Sequence, residues 1–98
     1  MYPNFQEVIN RLSVVEAPAE PLPSKRAAVA ISLRSGVSGP EILMIQRAVR
    51  EGDPWSGHMG FPGGRKDASD VTDVACAKRE TREEISFDLD THGELVCQ

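Results

Sequence analysis

The segment Arg79-Glu80-Thr81-Arg82-Glu83-Glu84 crowds three carboxylates and two guanidinium groups into less than two helical turns. Clustered carboxylates suit a hard divalent cation, which takes oxygen ligands. Magnesium keeps several waters and shares its other positions between carboxylates and substrate phosphates, so a loose acidic face on a rigid helix points to a phosphate-bearing substrate. Apart from Cys76, the stretch holds neither imidazole nor thiolate, which disfavours zinc and copper. The same residues also suit an ordinary salt-bridged surface helix, because Arg79 and Glu83 are four apart and Arg82 is close by. Against that, Glu80 stands three and four residues from Glu83 and Glu84, and such like-charged neighbours cost roughly a few tenths of a kcal/mol per pair.

A glycine pair, Gly63 and Gly64, follows Pro62 and allows backbone turns that bring a main-chain carbonyl or amide close to a metal or phosphate. The Gly-Lys-Ser/Thr ending of a P-loop is missing. From Val71 to Ile85 there is no glycine or proline, which predicts a helix starting after Asp70 or Thr72 and ending near Ser86. A helical projection puts Val74, Ala77, Thr81 and Ile85 on a thin apolar side and Asp73, Glu80, Glu83 and Glu84 on the opposite one.

The elements that position this helix are shorter. Phe5, Val8, Ile9 and Leu12 predict an amphipathic helix behind an Asn4 cap, and Pro18, Pro21 and Pro23 mark a linker. Residues 26–35 and 41–48 read as two strands of a hairpin turned at 36–40, with a Gly/Pro loop over 49–69 broken by a short strand at His58–Phe61. The final six residues are expected to begin another strand. Mixed helices and strands without regular βαβ alternation predict an α+β or layered α/β domain.

Several single residues have two readings. Trp55 suits anchoring the loop into the core better than stacking on a base. His58 suits a surface hydrogen bond better than a phosphate contact. Cys76 reads as a small buried helix residue, and Arg47 either steers phosphate or ends a strand at the surface.

Ninety-eight residues make one small domain. A net charge of −4 with scattered cations excludes nucleic-acid binding by phosphate neutralisation. Cys76 and Cys97 form no CxxC pair, which points to reduced thiols in a cytoplasmic protein. No apolar run reaches membrane-spanning length, so no membrane partner is expected.

Taken in order, "FPGG", Asp67 and Asp70, and "RETREE" followed by an apolar position resemble the Nudix hydrolase signature. That signature runs from a glycine and a loop acid to Arg-Glu, a small or apolar residue, any residue, Glu-Glu, any residue, Gly and an apolar residue. Gly64, Arg79, Glu80, Thr81, Glu83, Glu84 and Phe87 fill its places. Asp70 stands where the family usually has Glu, with one extra residue before Arg79, and Ser86 replaces the usual glycine. "ILMIQR" and "GDPWSGHMGFPGGRKDASD" further resemble the coenzyme A pyrophosphatase-type subgroup through Arg47, Gly57, Phe61, Pro62, Asp67 and Asp70, while His58 and Gly60 depart from it.

The resemblance implies a mixed sheet between helices, and hydrolysis of a diphosphate linkage in a small-molecule nucleoside diphosphate derivative. Glu80, Glu83 and Glu84 would hold Mg²⁺ or Mn²⁺ with a backbone oxygen from the Gly64 region. Arg79 would orient a glutamate, and Glu80 or Glu83, or a residue of a later loop, would take the proton of water. Arg47, Gly63 and Gly64 would meet the substrate. Because further strands and a helix normally follow the box at about residues 63–87, residues 1–98 are expected to form the N-terminal part of the fold. That leaves open a non-catalytic module that binds only a metal or a partner, and an exposed apolar face that favours association, a homodimer included.

Overall fold

The computed structural model describes residues 3–14 and 25–98. Most of the segment read as a linker falls on residues 15–24 and lies outside the described residues. The chain is an α+β domain whose order is α1 (Phe5–Leu12), β1 (Ala27–Val29), β2 (Leu33–Gly36), β3 (Gly39–Ile42), β4 (Ile45–Gln46), β5 (Met59–Gly60), β6 (Gly63–Arg65), α2 (Asp73–Ile85) and α3 (Leu89–His92). The strands form three antiparallel ladders, β1–β6, β2–β3 and β4–β5.

Helix α1 starts where the sequence places it, because the Asn4 side chain accepts from the Glu7 amide at 2.9 Å. The hairpin is also present, with β2 and β3 paired from Leu33↔Ile42 to Gly36↔Gly39. The strand expected over 26–35 is nevertheless split. Its first half pairs with β6, in the register Ala28↔Gly64 and Val29↔Gly63, and only its second half pairs within the hairpin. One segment serving two partners has to bend between them. The short strand in the glycine-rich loop is β5, which meets β4 through Ile45↔Gly60 and Gln46↔Met59.

Helix α2 packs across β1 and β6, and the buried residues of the described chain, Pro62, Asp70, Cys76, Ala77 and Thr81, gather at that crossing. Small side chains let the helix lie close. Thr81 spends its hydroxyl on the Ala77 carbonyl at 2.7 Å, one turn back, and is fully buried without an unpaired polar atom. At the start of α2, the Thr72 side chain accepts from the Ala75 amide at 3.0 Å. Asp73 is gripped by two N–H groups of Arg26, one of them 2.9 Å away, which ties the helix to the residue before β1. Asp73 is therefore a fastener to the sheet and stands apart from the glutamate cluster with which the helical projection grouped it.

The glycine pair is not a hinge. Gly63 and Gly64 lie in β6, and neither is among the glycines with positive φ. Their requirement is clearance: a Cβ on Gly63 would stand 2.2 Å from the Ala28 carbonyl oxygen, and one on Gly64 would stand 2.7 Å from Cδ of Glu80.

Two further differences lie at the C-terminal side. Residues 93–98 adopt no strand, and the short helix α3 precedes them, capped by Asp88 at 2.9 Å from the Asp90 amide and tied to α2 by Lys78–Asp90 at 2.6 Å. The helix exit falls on Ser86, whose φ of 56° and ψ of 32° are left-handed. An L-residue there carries a steric cost that glycine lacks.

Two outcomes are expected from chemical denaturation. Ser86→Gly raises the unfolding free energy by roughly 0.5–1 kcal/mol. Gly63→Ala lowers it by roughly 1–3 kcal/mol, because the ladder backbone cannot move away from the new methyl group. Urea midpoints at constant m-value measure both.

Candidate functional site

The Arg79 guanidinium is the centre of the site. Its Nε and Nη2 donate to the two oxygens of Asp70 at 2.9 and 2.8 Å, a two-pronged bond across the start of α2. Nη1 donates to Glu80 at 3.1 Å and to Glu83 at 3.0 Å, and Nη2 also reaches the Arg65 carbonyl at 3.1 Å. One side chain thus joins the end of β6, the loop before the helix and two glutamates.

Asp70 is buried, with 4% of its side chain exposed, and it accepts a further bond from the Asp67 amide at 2.9 Å. The Arg79 guanidinium holds its carboxyl far below the usual aspartate range, the Asp67 amide adding to the effect. Asp67 in turn shapes the tight turn by accepting from the Ser69 amide at 2.9 Å and hydroxyl at 3.0 Å, which pull its own carboxyl down.

The glutamates do not point away from the sheet, as the projection implied. Glu80 and Glu84, four residues apart, lean toward β6: Glu80 lies over Gly64, and Glu84 accepts from the Gly63 amide at 3.3 Å. At roughly 100° per residue both fall between the directions of Cys76 and Ala77, so they stand on the side of α2 that meets the sheet. Burial pushes the Glu84 carboxyl up, and the negative Glu80 adds to this against the opposing pull of the Gly63 amide. Glu83 is drawn to the guanidinium and is more than half exposed.

The donor set fits a hard cation of the magnesium type. Two adjacent carboxylates, one of them held up by poor solvation and its neighbour's charge, are what such an ion relieves, with waters or phosphate oxygens filling its other positions. Among the described residues no three ligating side chains converge, and Arg79 donates to both Glu80 and Glu83. The Gly64 carbonyl accepts from the Cys76 thiol at 3.5 Å, so what Gly64 supplies here is space for Glu80. Cys76 is fully buried, and desolvation first, then the nearby Asp70 charge, push its thiol up and keep it protonated.

Arg47 follows β4, and its Nη2 donates to Asp53 at 2.9 Å. It lies close enough to Glu84 for its charge to favour the ionised carboxylate. Trp55 does not anchor the loop in the core: it is 62% exposed. The sequence reading did not foresee the Arg79–Asp70 fork. Its one signal was an acid nine residues before the arginine, across a helix cap, where helical spacing rules do not apply.

A small α+β domain with a carboxylate pair on a helix laid over a glycine strand, braced by an arginine fork, defines the class. The chain belongs to the Nudix family, since residues 23–97 match the model of the NUDIX domain. An uncharacterized protein of Schizosaccharomyces pombe is 50% identical to it over 52 residues, 53% of this chain and 16% of that relative. The chain therefore spans only a small part of the relative's length. No solved structure matches it.

The fork yields a pH expectation. Because the folded pKa of Asp70 lies below the ordinary value of 3.8, its stabilisation is present above that value and is lost as pH falls below it. Glu84 acts with the opposite sign, its raised pKa lowering stability as pH rises through the carboxylate range. Urea midpoints measured from about pH 7 down to about pH 3 should fall at the acid end in wild type. Asp70→Asn should be less stable near neutrality and show a shallower acid fall.

Proposed function

We propose that this chain carries the reaction site of a divalent-metal-dependent Nudix diphosphatase acting on nucleoside diphosphate derivatives. The supporting observation is the pairing of Glu80 and Glu84 over Gly63 and Gly64, held in that register by the Arg79–Asp70 fork. Family membership supports the reaction class.

In this reading Glu80 and Glu84 hold Mg²⁺ or Mn²⁺, with Glu83 beside them and a backbone oxygen of the Gly64 region within the same edge. The bound cation supplies charge neutralisation at the phosphoryl oxygens, where negative charge builds up in the transition state. Water attacks one phosphorus and the bridging P–O bond breaks, giving two phosphate monoesters from a diphosphate diester. A carboxylate of Glu80 or Glu83 accepts the proton of that water, and Arg79 keeps both side chains in place through its Nη1. Arg47, with Gly63 and Gly64, meets the phosphates. Coenzyme A is the finer substrate reading, supported by the resemblance of residues 42–70 to that subgroup.

The second reading is a module that binds a cation or a partner chain without turnover. Its support is the small core: among the described apolar side chains, many are exposed, including Val29, Ile31, Ile42 and Met44, and a homodimer would cover such a face. Both readings suit a cytoplasmic setting, with Cys76 and Cys97 free. No helix of the described residues is long and apolar enough to cross a membrane.

Hydrolysis of coenzyme A, ADP-ribose and dinucleoside polyphosphates with Mg²⁺ or Mn²⁺ tests the first reading. Glu80→Gln should lower kcat/KM by at least about 100-fold, and Arg79→Lys, which loses the fork, by about 10–100-fold. Equal turnover by wild type and Glu80→Gln would sink the metal-site assignment. Cation binding with no turnover of any substrate would favour the module.

A further inference from the structure

We propose that Cys76 is a positioning residue of the carboxylate site: its buried thiol sets where α2 stands along β6, and so where Glu80 and Glu84 meet the strand. This rests on the diphosphatase reading and deepens it, because that reading needs both carboxylates in a fixed place over the glycines.

Residues 76, 80 and 84 follow one another at intervals of four, which makes them a single ridge along the helix. Each meets β6 at a different point of its backbone. The Cys76 thiol donates to the Gly64 carbonyl at 3.5 Å. The Glu80 carboxyl fills the side of Gly64 where a Cβ would stand, and Glu84 accepts from the Gly63 amide at 3.3 Å. From 76 to 84 these contacts run backwards through the strand, so one line of side chains fixes the register of helix on strand.

Of the three, only Cys76 is fully buried. A glutamate can turn about several side-chain bonds and trade its partner for water, whereas a cysteine closed off from solvent has only χ1 with which to reach the carbonyl. The end of the ridge at Cys76 is therefore its fixed end. Both elements are held firmly there: Gly64 pairs with Ala28 of β1, and the Cys76 amide donates to the Thr72 carbonyl at 3.1 Å in the first turn of α2. Alanine at 76 would remove the one atom that spans the gap between helix and strand, in a crossing whose other side chains are already packed. Serine would keep a donor on the same torsion, with a shorter reach. Any displacement at Gly64 passes directly to Glu80, since glycine leaves no side chain between its backbone and that carboxyl.

Two measurements on the 98-residue chain test the assignment. One is Mn²⁺ affinity, read from the paramagnetic resonance signal of the free ion; the other is the NMR shift of the Gly63 backbone amide, read without metal. Cys76→Ala should raise the Mn²⁺ dissociation constant about tenfold and move the Gly63 amide, and Cys76→Ser should return both most of the way. Ala77→Gly weakens the same helix from outside the ridge, and should lower the urea midpoint while leaving both readings near wild type. Unchanged affinity or an unmoved Gly63 amide in Cys76→Ala, no recovery in Cys76→Ser, or an equal change in Ala77→Gly would leave Cys76 as packing alone and overturn the proposal. If wild type neither binds Mn²⁺ nor hydrolyses any substrate, the diphosphatase reading falls, and the Gly63 shift by itself decides whether Cys76 sets the register. Mn²⁺ binding and turnover that are the same in wild type and Cys76→Ala would do the reverse.

Discussion

A guanidinium facing a buried carboxylate is the contact on which the rest of this small structure depends. Asp70 is almost fully enclosed, and a carboxylate in that position is tolerated only because Arg79 meets both of its oxygens and a backbone amide adds a third bond. The planar fork fixes the rotation of α2 about its own axis. With that rotation set, Glu80 and Glu84 face β6, and position 64 beneath Glu80 has to be glycine. Lysine could match the charge but not the geometry.

The fork also bears on the two readings that the charged helix allowed. Salt bridges are indeed present, since Arg79 meets Glu83 four residues on. They do not form a solvated surface lattice, however, because the Arg79 side chain is four-fifths covered and spends its other bonds on Asp70, Glu80 and the Arg65 carbonyl. Glu80 and Glu84 remain side by side over β6, with Arg79 donating to Glu80 and the Gly63 amide to Glu84. A carboxylate pair placed in this way is the arrangement that the proposed cation would use.

Legibility in the sequence followed the range of the interactions involved. Asn4 as a cap, the approximate α2 span and the β2–β3 hairpin depend on neighbours within a few residues, and local chemistry revealed them, while the choice of Thr72 over Asp70 at the start of α2 was left to the structure. The split of 26–35 between two partners did not show, because β6 lies more than thirty residues away in the chain. Gly63 and Gly64 were read as a turn, whereas both lie in β6 without positive φ. A glycine pair in one dimension reads as a turn, and only the approach of Ala28 and Glu80 reveals that it is there to leave room. Trp55 failed likewise: its apolar bulk suggested the core, but the loop holds it outward.

The sequence by itself determined the residue types of the site, their helical spacing and hence the family, because a motif is a local pattern read along one element. Tertiary structure decided that Glu80 and Glu84 meet β6 and that Arg79 joins the buried Asp70 to both Glu80 and Glu83. Those outcomes depend on contacts between residues distant in the chain: helical spacing puts Glu80 and Glu84 beside Ala77, and only what packs against that side of α2 decides what they meet.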